Sequence, residues 1–172
     1  MAAFTQESIS ELISCPKEVT EGPKRLQLDR GQWRADAVLV ASNGIKGTFR
    51  VFLRKNEDFP ENFSVGLNYT AHDERGEITL IRCNGVHGDF NKGFDPDHPH
   101  FAFHIHRATE KALNDGLAAE RYAEKTDAFA SYQEAVQYFV DAVNLNRQDR
   151  SKYFGAPDQT LFGMSSDRDG YS

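Results

Sequence analysis

The chain has few cysteines and no long apolar run, and both shortages limit what kind of protein it can be. Its 172 residues include only two cysteines, Cys15 and Cys83, too few for the disulfide framework of a small secreted domain. No stretch approaches the roughly 20 apolar residues that a membrane-spanning helix needs. The first residues lack the basic start and apolar run of a signal peptide, and carry Glu7 and Glu11 instead. These features predict a cytoplasmic protein with reduced thiols and no membrane partner.

Positive charge is also in short supply. Lys and Arg number 20 against 26 Asp and Glu, which gives a formal net charge of −6. This balance argues against binding along a nucleic-acid backbone through many phosphate contacts, although it leaves room for a small local site. The length is that of one domain. We expect a single domain over residues 1–146 and, because periodicity is lost beyond it, a polar and flexible tail over residues 147–172.

Alternating apolar and polar residues predict a sheet, and helical spacing predicts a helix at either end of the domain. The connectors between the strand-like runs are short and rich in Gly, Asn, Asp or Pro, which favours an antiparallel meander. We therefore predict an α+β fold: a five-stranded, mostly antiparallel sheet with the N-terminal and C-terminal helices packed on one face. The predicted strands are 33–42, 46–55, 63–69, 77–83 and 100–107, and the predicted helices are 4–15 and 130–144.

The most informative feature is a group of histidines. Four of the six, His98, His100, His104 and His106, fall within nine residues, and His87 lies just upstream. Side chains alternate along a strand, so His100, His104 and His106 are expected on one face and the apolar residues of the run on the other. Residues i and i+2 of a strand have Cα atoms about 6.5–7 Å apart. We expect these imidazoles to converge on one solvent-accessible spot.

Two kinds of chemistry suit this group, and a purely structural role is the third possibility. RNA cleavage without a metal needs a base for the 2′-hydroxyl proton, an acid for the leaving oxygen and a cation for the phosphorane. His87, His104 and His106, with Arg82 and Arg107, are the candidate catalytic residues. Alternatively, His100, His104 and His106 would hold a divalent transition metal such as zinc. In the third case, the rings are hydrogen-bonded polar residues, with no cofactor.

The run LIRCNGVHGDFNKGFDPDHPHFAFHIHRAT, the segment YAEKTD and the helix YQEAVQYFVDAVNL resemble a family of uncharacterised bacterial and phage-associated proteins. More distantly, the architecture is similar to the TumE type of toxin in toxin–antitoxin pairs. That second likeness implies ribonuclease-like toxicity and a cognate antitoxin as partner. The residues that match the pattern are His87, His104, His106 and Arg107, with His98 and His100 placed less securely.

Two functions therefore follow from the sequence as expectations. The first is a small cytoplasmic toxin-like or phage-defence protein that cleaves RNA through its histidine cluster. The second is a non-enzymatic protein-binding factor, either an immunity protein or a phage-encoded inhibitor, with a structural metal or no cofactor. The expected partner is RNA or a protein such as a cognate antitoxin, and the chain is either a monomer or a homodimer.

Overall fold

The fold is α+β, with one antiparallel sheet, in a computed structural model that describes residues 3–23, 27–73, 76–87 and 102–155. Within these ranges the sheet has eight strands: β1 (Lys17–Glu21), β2 (Gln27–Asp29), β3 (Gln32–Ala41), β4 (Thr48–Asn56), β5 (Phe63–Thr70), β6 (Glu77–Asn84), β7 (His104–Arg107) and β8 (Ala123–Lys125). The four helices are α1 (Gln6–Ser14), α2 (Glu110–Asn114), α3 (Tyr132–Ala142) and α4 (Arg147–Tyr153).

The strand order is β1-β3-β4-β5-β6-β7-β8, and β2 pairs with β3. Every paired neighbour is antiparallel. Strands β3 to β7 correspond to the five predicted strands and form the predicted meander. The count of five was too low because β1, β2 and β8 add short strands of largely exposed, polar residues, which lack an alternating apolar pattern.

Helices α1 and α3 cover one face of the sheet, as predicted, because each presents an apolar stripe to it. The core joins Ile9 of α1 and Phe139 of α3 to inward residues of the strands, such as Val51 and Leu67. Thr5 caps α1 by accepting a hydrogen bond from the Ser8 amide. Ser131 caps α3 in the same way through the Glu134 amide. The opposite face of the sheet is therefore left for polar side chains.

The chain after residue 146 differs from the predicted flexible tail. Residues 147–153 form α4, and the Phe154 that follows is buried, with 2% of its surface exposed. Gln137 of α3 donates hydrogen bonds to the Phe154 and Gly155 carbonyls at 2.8 Å, and Asp149 accepts one from the Val19 amide at 2.7 Å. The packed domain thus extends to residue 155, because Phe154 is part of the core, Tyr153 packs against it, and hydrogen bonds tie the polar helix to α3 and β1. Residues 156–172 of the predicted tail lie outside the described residues.

Lys17 is a buried cation that joins α1, β1 and α3. Its side chain is 0% exposed, and its Nζ donates hydrogen bonds to the carbonyls of Ile13, Cys15 and Val143 at 2.8, 2.9 and 2.9 Å. These carbonyls lie at the C-terminal ends of α1 and α3, where the helices leave acceptors without an intrahelical partner and favour positive charge. Burial lowers the pKa of the Lys17 ammonium from its usual 10.5.

Candidate functional site

Strand register brings four of the polar side chains together on the face that α1 and α3 leave uncovered. In the β6–β7 pair, Asn84 lies opposite His104 and Arg82 lies opposite His106. Ile105, between the two histidines, is 4% exposed and belongs to the core on the other face. The predicted alternation of this strand is therefore confirmed over residues 104–106, because opposed residues of an antiparallel pair share a face.

His87, on the loop that leaves β6, folds back onto this face and pairs with His104. The Nε2 atoms of the two rings are 3.1 Å apart, and the ring centroids are 4.9 Å apart. The Asn84 Nδ2 atom is 3.4 Å from each of these two nitrogens. Two facing ring nitrogens at this distance share one proton in an N–H···N hydrogen bond.

Neighbouring groups define which nitrogen donates. His104 Nδ1 is 2.8 Å from the Ala102 carbonyl oxygen, and a carbonyl can only accept, so this Nδ1 carries a proton. The Nε2 of a neutral His104 is then an acceptor, and His87 Nε2 is the donor. Ser64 donates a hydrogen bond to Asn84 Oδ1 at 2.8 Å, which turns the Asn84 amide nitrogen toward His104 Nε2.

His106 is held in the same way. Its Nδ1 donates to the Glu120 carbonyl at 2.8 Å, and its ring centroid is 5.2 Å from that of His104 in an edge-on arrangement. A backbone acceptor on Nδ1 fixes both the orientation of the ring and its tautomer. His104 and His106 are thus two fixed imidazoles, with protons on matching nitrogens.

Burial corrects one expectation. His104 and His106 are 0% and 2% exposed, so these rings do not face solvent in a row. His87 is half-buried and is the most accessible of the three. The strand pattern correctly predicted that His104 and His106 share a face of the sheet, but it gave no information on which segments bury them. One of these is the segment after α2, which brings the Glu120 carbonyl to His106.

Arg82 lies beside the imidazoles as a half-buried cation. Its Nε is enclosed and has no hydrogen-bond partner in the described part of the chain. Burial lowers the pKa of the Arg82 guanidinium, and the negative charge of Glu120 opposes that shift. An arginine with this much burial and no direct counter-ion is uncommon in a merely structural setting.

Arg107 does not belong to this site, contrary to its place among the predicted catalytic residues. It lies two residues after Ile105 on β7, so its side chain is on the same face of the sheet, which the helices cover. There it donates a hydrogen bond to the Tyr138 hydroxyl of α3 at 2.6 Å. Its side chain is exposed there. The alternation that places His104 and His106 on one face places Arg107 on the other.

The predicted metal set of His100, His104 and His106 stays a prediction, because His100 lies outside the described residues, as does His98. Among residues 3–23, 27–73, 76–87 and 102–155, no group of three His, Cys, Asp or Glu side chains is placed to hold a metal ion. His104 and His106 each carry the backbone hydrogen bond on Nδ1 that metal-bound imidazoles commonly make. The described residues do not complete a ligand set.

Sequence reasoning missed three residues of the site. Asn84 precedes a glycine and so resembles a turn residue in the sequence, but it ends β6 and is 4% exposed. Ser64 sits at an outward position of β5, where the predicted alternation could have marked it as a neighbour of the β6 side chains. Glu120 carried no signal, because its role depends on a loop that returns to β7.

Comparison with known proteins gives no relative whose function could be compared with this site. No protein-family model, no curated protein and no solved structure matches the chain significantly. In the part of the chain that the structure describes, every helix is too short or too polar to cross a bilayer.

Proposed function

We propose that the protein is an RNA-cleaving enzyme of the toxin or phage-defence type, in which His87 transfers the proton. The observation that carries the proposal is the hydrogen bond between His87 and His104, with Nε2 atoms 3.1 Å apart, on the sheet face that also carries the half-buried Arg82. A base held by a second group, which is itself fixed by a third, is the usual construction of an acid–base site.

The different burial of the rings supports different roles for His87 and His104. His87 is the half-buried member, so it is the ring that contacts substrate. His104 is fully buried and acts through His87, which makes it a positioning residue. It accepts a hydrogen bond from His87 Nε2–H, and its own Nδ1–H donates to the Ala102 carbonyl. When His87 takes a proton on Nδ1, the bond to His104 stabilises the charged ring. Arg82 supplies positive charge for the phosphorane.

The reaction that fits these roles is transfer of the phosphodiester to the adjacent 2′-oxygen. His87 Nδ1 takes the proton of the 2′-hydroxyl while the 2′-oxygen bonds to phosphorus. The bond from phosphorus to the 5′-oxygen breaks, and His87 returns the proton to that oxygen. The products are a 2′,3′-cyclic phosphate and a 5′-hydroxyl end. A cognate antitoxin, which the resemblance to TumE-type toxins implies, is the protein partner we propose.

A second function is favoured by a specific observation. His104 and His106 are enclosed and bonded to backbone carbonyls, as polar residues are when they only stabilise a fold. In that case the protein is a binding factor without enzymatic activity, and the histidines hold the β6–β7 region together.

Expression in bacteria, followed by growth and total RNA integrity, separates the two functions. For the enzyme, wild-type protein halts growth and degrades RNA, and His87→Gln does neither while accumulating to the same level. His72→Gln is the matched control, because His72 is an exposed histidine in a turn between β5 and β6. Intact RNA in cells that express the wild-type chain at a high level would rule out the enzyme.

A further inference from the structure

Arg82 differs from most other arginines of the described chain in having no direct partner. Its Nε is enclosed without a hydrogen bond, and none of the ion pairs between described residues includes its side chain. Arg34, Arg50, Arg54 and Arg150 are each paired with a carboxylate, namely Asp29, Glu77, Asp36 and Asp141. A guanidinium is built for bidentate contact with carboxylate or phosphate oxygens.

Among the described residues, the neighbours of Arg82 on its own face leave the cation available to an external anion. On β5, the residue opposite it is Gly66, which offers no side chain, and the ring of Phe52 from β4 occupies the space where a Cβ would lie. On β7, the residue opposite it is His106, whose Nδ1 proton is committed to the Glu120 carbonyl. Among the described residues, Glu120 brings a negative charge near, and none of the ion pairs between these residues includes Arg82.

We infer that Arg82 is the anchor of a phosphate-binding site, in which the guanidinium receives a phosphate group of the ligand in competition with the Glu120 carboxylate. Because Nε is enclosed, the anion meets the outer edge of the guanidinium that carries the two Nη nitrogens. The inference deepens the proposed function, since Arg82 and the His104 that His87 contacts lie on the same face of the β6–β7 pair. It rests on that function only for the identity of the natural ligand.

The test is a titration of the isotope-labelled full chain with inorganic phosphate, followed by NMR at low ionic strength. We expect saturable shifts of the backbone amides of Arg82 and His106, and of the Arg82 Nε–Hε signal. Added salt weakens the binding, as it does for charged ligands near a surface. The absence of a saturable shift at these positions would overturn the inference.

Three variants make the test specific. Arg82→Gln should weaken phosphate binding at least about tenfold, because a charge-assisted contact is lost. Glu120→Gln should tighten it about threefold to tenfold, because it removes a competing negative charge and keeps the backbone carbonyl that holds His106. Arg50→Gln is the control, since Arg50 is already paired with Glu77 and should leave binding unchanged. Equal affinity in Arg82→Gln and the wild type would contradict the inference, provided that the amide spectrum shows the variant to be folded.

The outcome does not depend on catalysis. Phosphate binding at Arg82 in a protein that leaves RNA intact would contradict the proposed enzymatic function and support the phosphate-binding site. RNA cleavage with no phosphate binding at Arg82 would keep the enzyme and remove the site.

Discussion

Replacing Lys17 by methionine removes the cation that joins the C-terminal ends of α1 and α3. Methionine has a similar length and no donor. The carbonyls of Ile13, Cys15 and Val143, which now accept hydrogen bonds from Nζ at 2.8–2.9 Å, would lose them in a site where Lys17 is 0% exposed. The variant therefore measures the contribution of these hydrogen bonds to stability, while the burial of the aliphatic part of the side chain is kept.

The size of the effect follows from two opposed terms. Each buried acceptor left without a partner costs about 1–3 kcal/mol, and three of them set the upper range. Removing the buried ammonium offsets part of this loss of stability, because burying a charged group is itself unfavourable. We expect a net loss of about 3–5 kcal/mol in the free energy of unfolding, a large share of the roughly 5–15 kcal/mol typical of a domain.

Urea unfolding followed by circular dichroism measures this difference, with Lys46→Met as control, because Lys46 is exposed and should change stability by less than about 0.5 kcal/mol. A loss below about 1 kcal/mol in Lys17→Met would mean that the three hydrogen bonds of Lys17 contribute little to stability, contrary to this prediction. The pH dependence gives a second check. The folded pKa of Lys17 is lowered and the unfolded value is 10.5, so the unfolded chain binds more protons between the two values. In that window, the stability of the wild type should rise with pH relative to Lys17→Met.

Three further predictions follow from the described structure. Burial raises the pKa of the Cys83 thiol to about 12, so Cys83 should resist a maleimide at pH 8 in the folded protein and react once urea unfolds it. Gly85→Ala should cost about 1–3 kcal/mol in urea unfolding, because the added Cβ would collide with the Glu61 backbone carbonyl; a variant as stable as the wild type would contradict that contact. Arg107→Leu should leave RNA cleavage unchanged, because Arg107 is bonded to Tyr138 on the helix face; a large loss of cleavage would show that the site extends around the sheet.

The sequence predicted the parts of the fold that have a strong period. Strands β3 to β7 alternate, and α3 has a continuous apolar stripe, so their positions followed from the pattern alone. Strands β1 and β8 were missed because they are short and polar, and they form by pairing with strands already in place. Helix α4 was missed because it has no apolar stripe of its own, and it docks through the Phe154 ring and polar contacts such as that of Asp149 with the Val19 amide.

The sequence predicted which histidines share a face of the sheet, but it did not predict how deeply they are buried. Alternation gave the shared face of His104 and His106, and it could have excluded Arg107 from that face. The contact between His87 and His104 depends on how the loop after β6 turns back. The burial of His106 depends on the Glu120 segment, which is 14 residues away along the chain. Neither arrangement leaves a periodic trace in the sequence.

Cleavage of end-labelled RNA by the purified chain tests the proton-transfer role of His87 most directly. We expect fragments that end in 2′,3′-cyclic phosphate, and a rate about 10²–10⁴-fold lower in His87→Gln than in the wild type and in His72→Gln. Equal rates in the wild type and in a folded His87→Gln would contradict it.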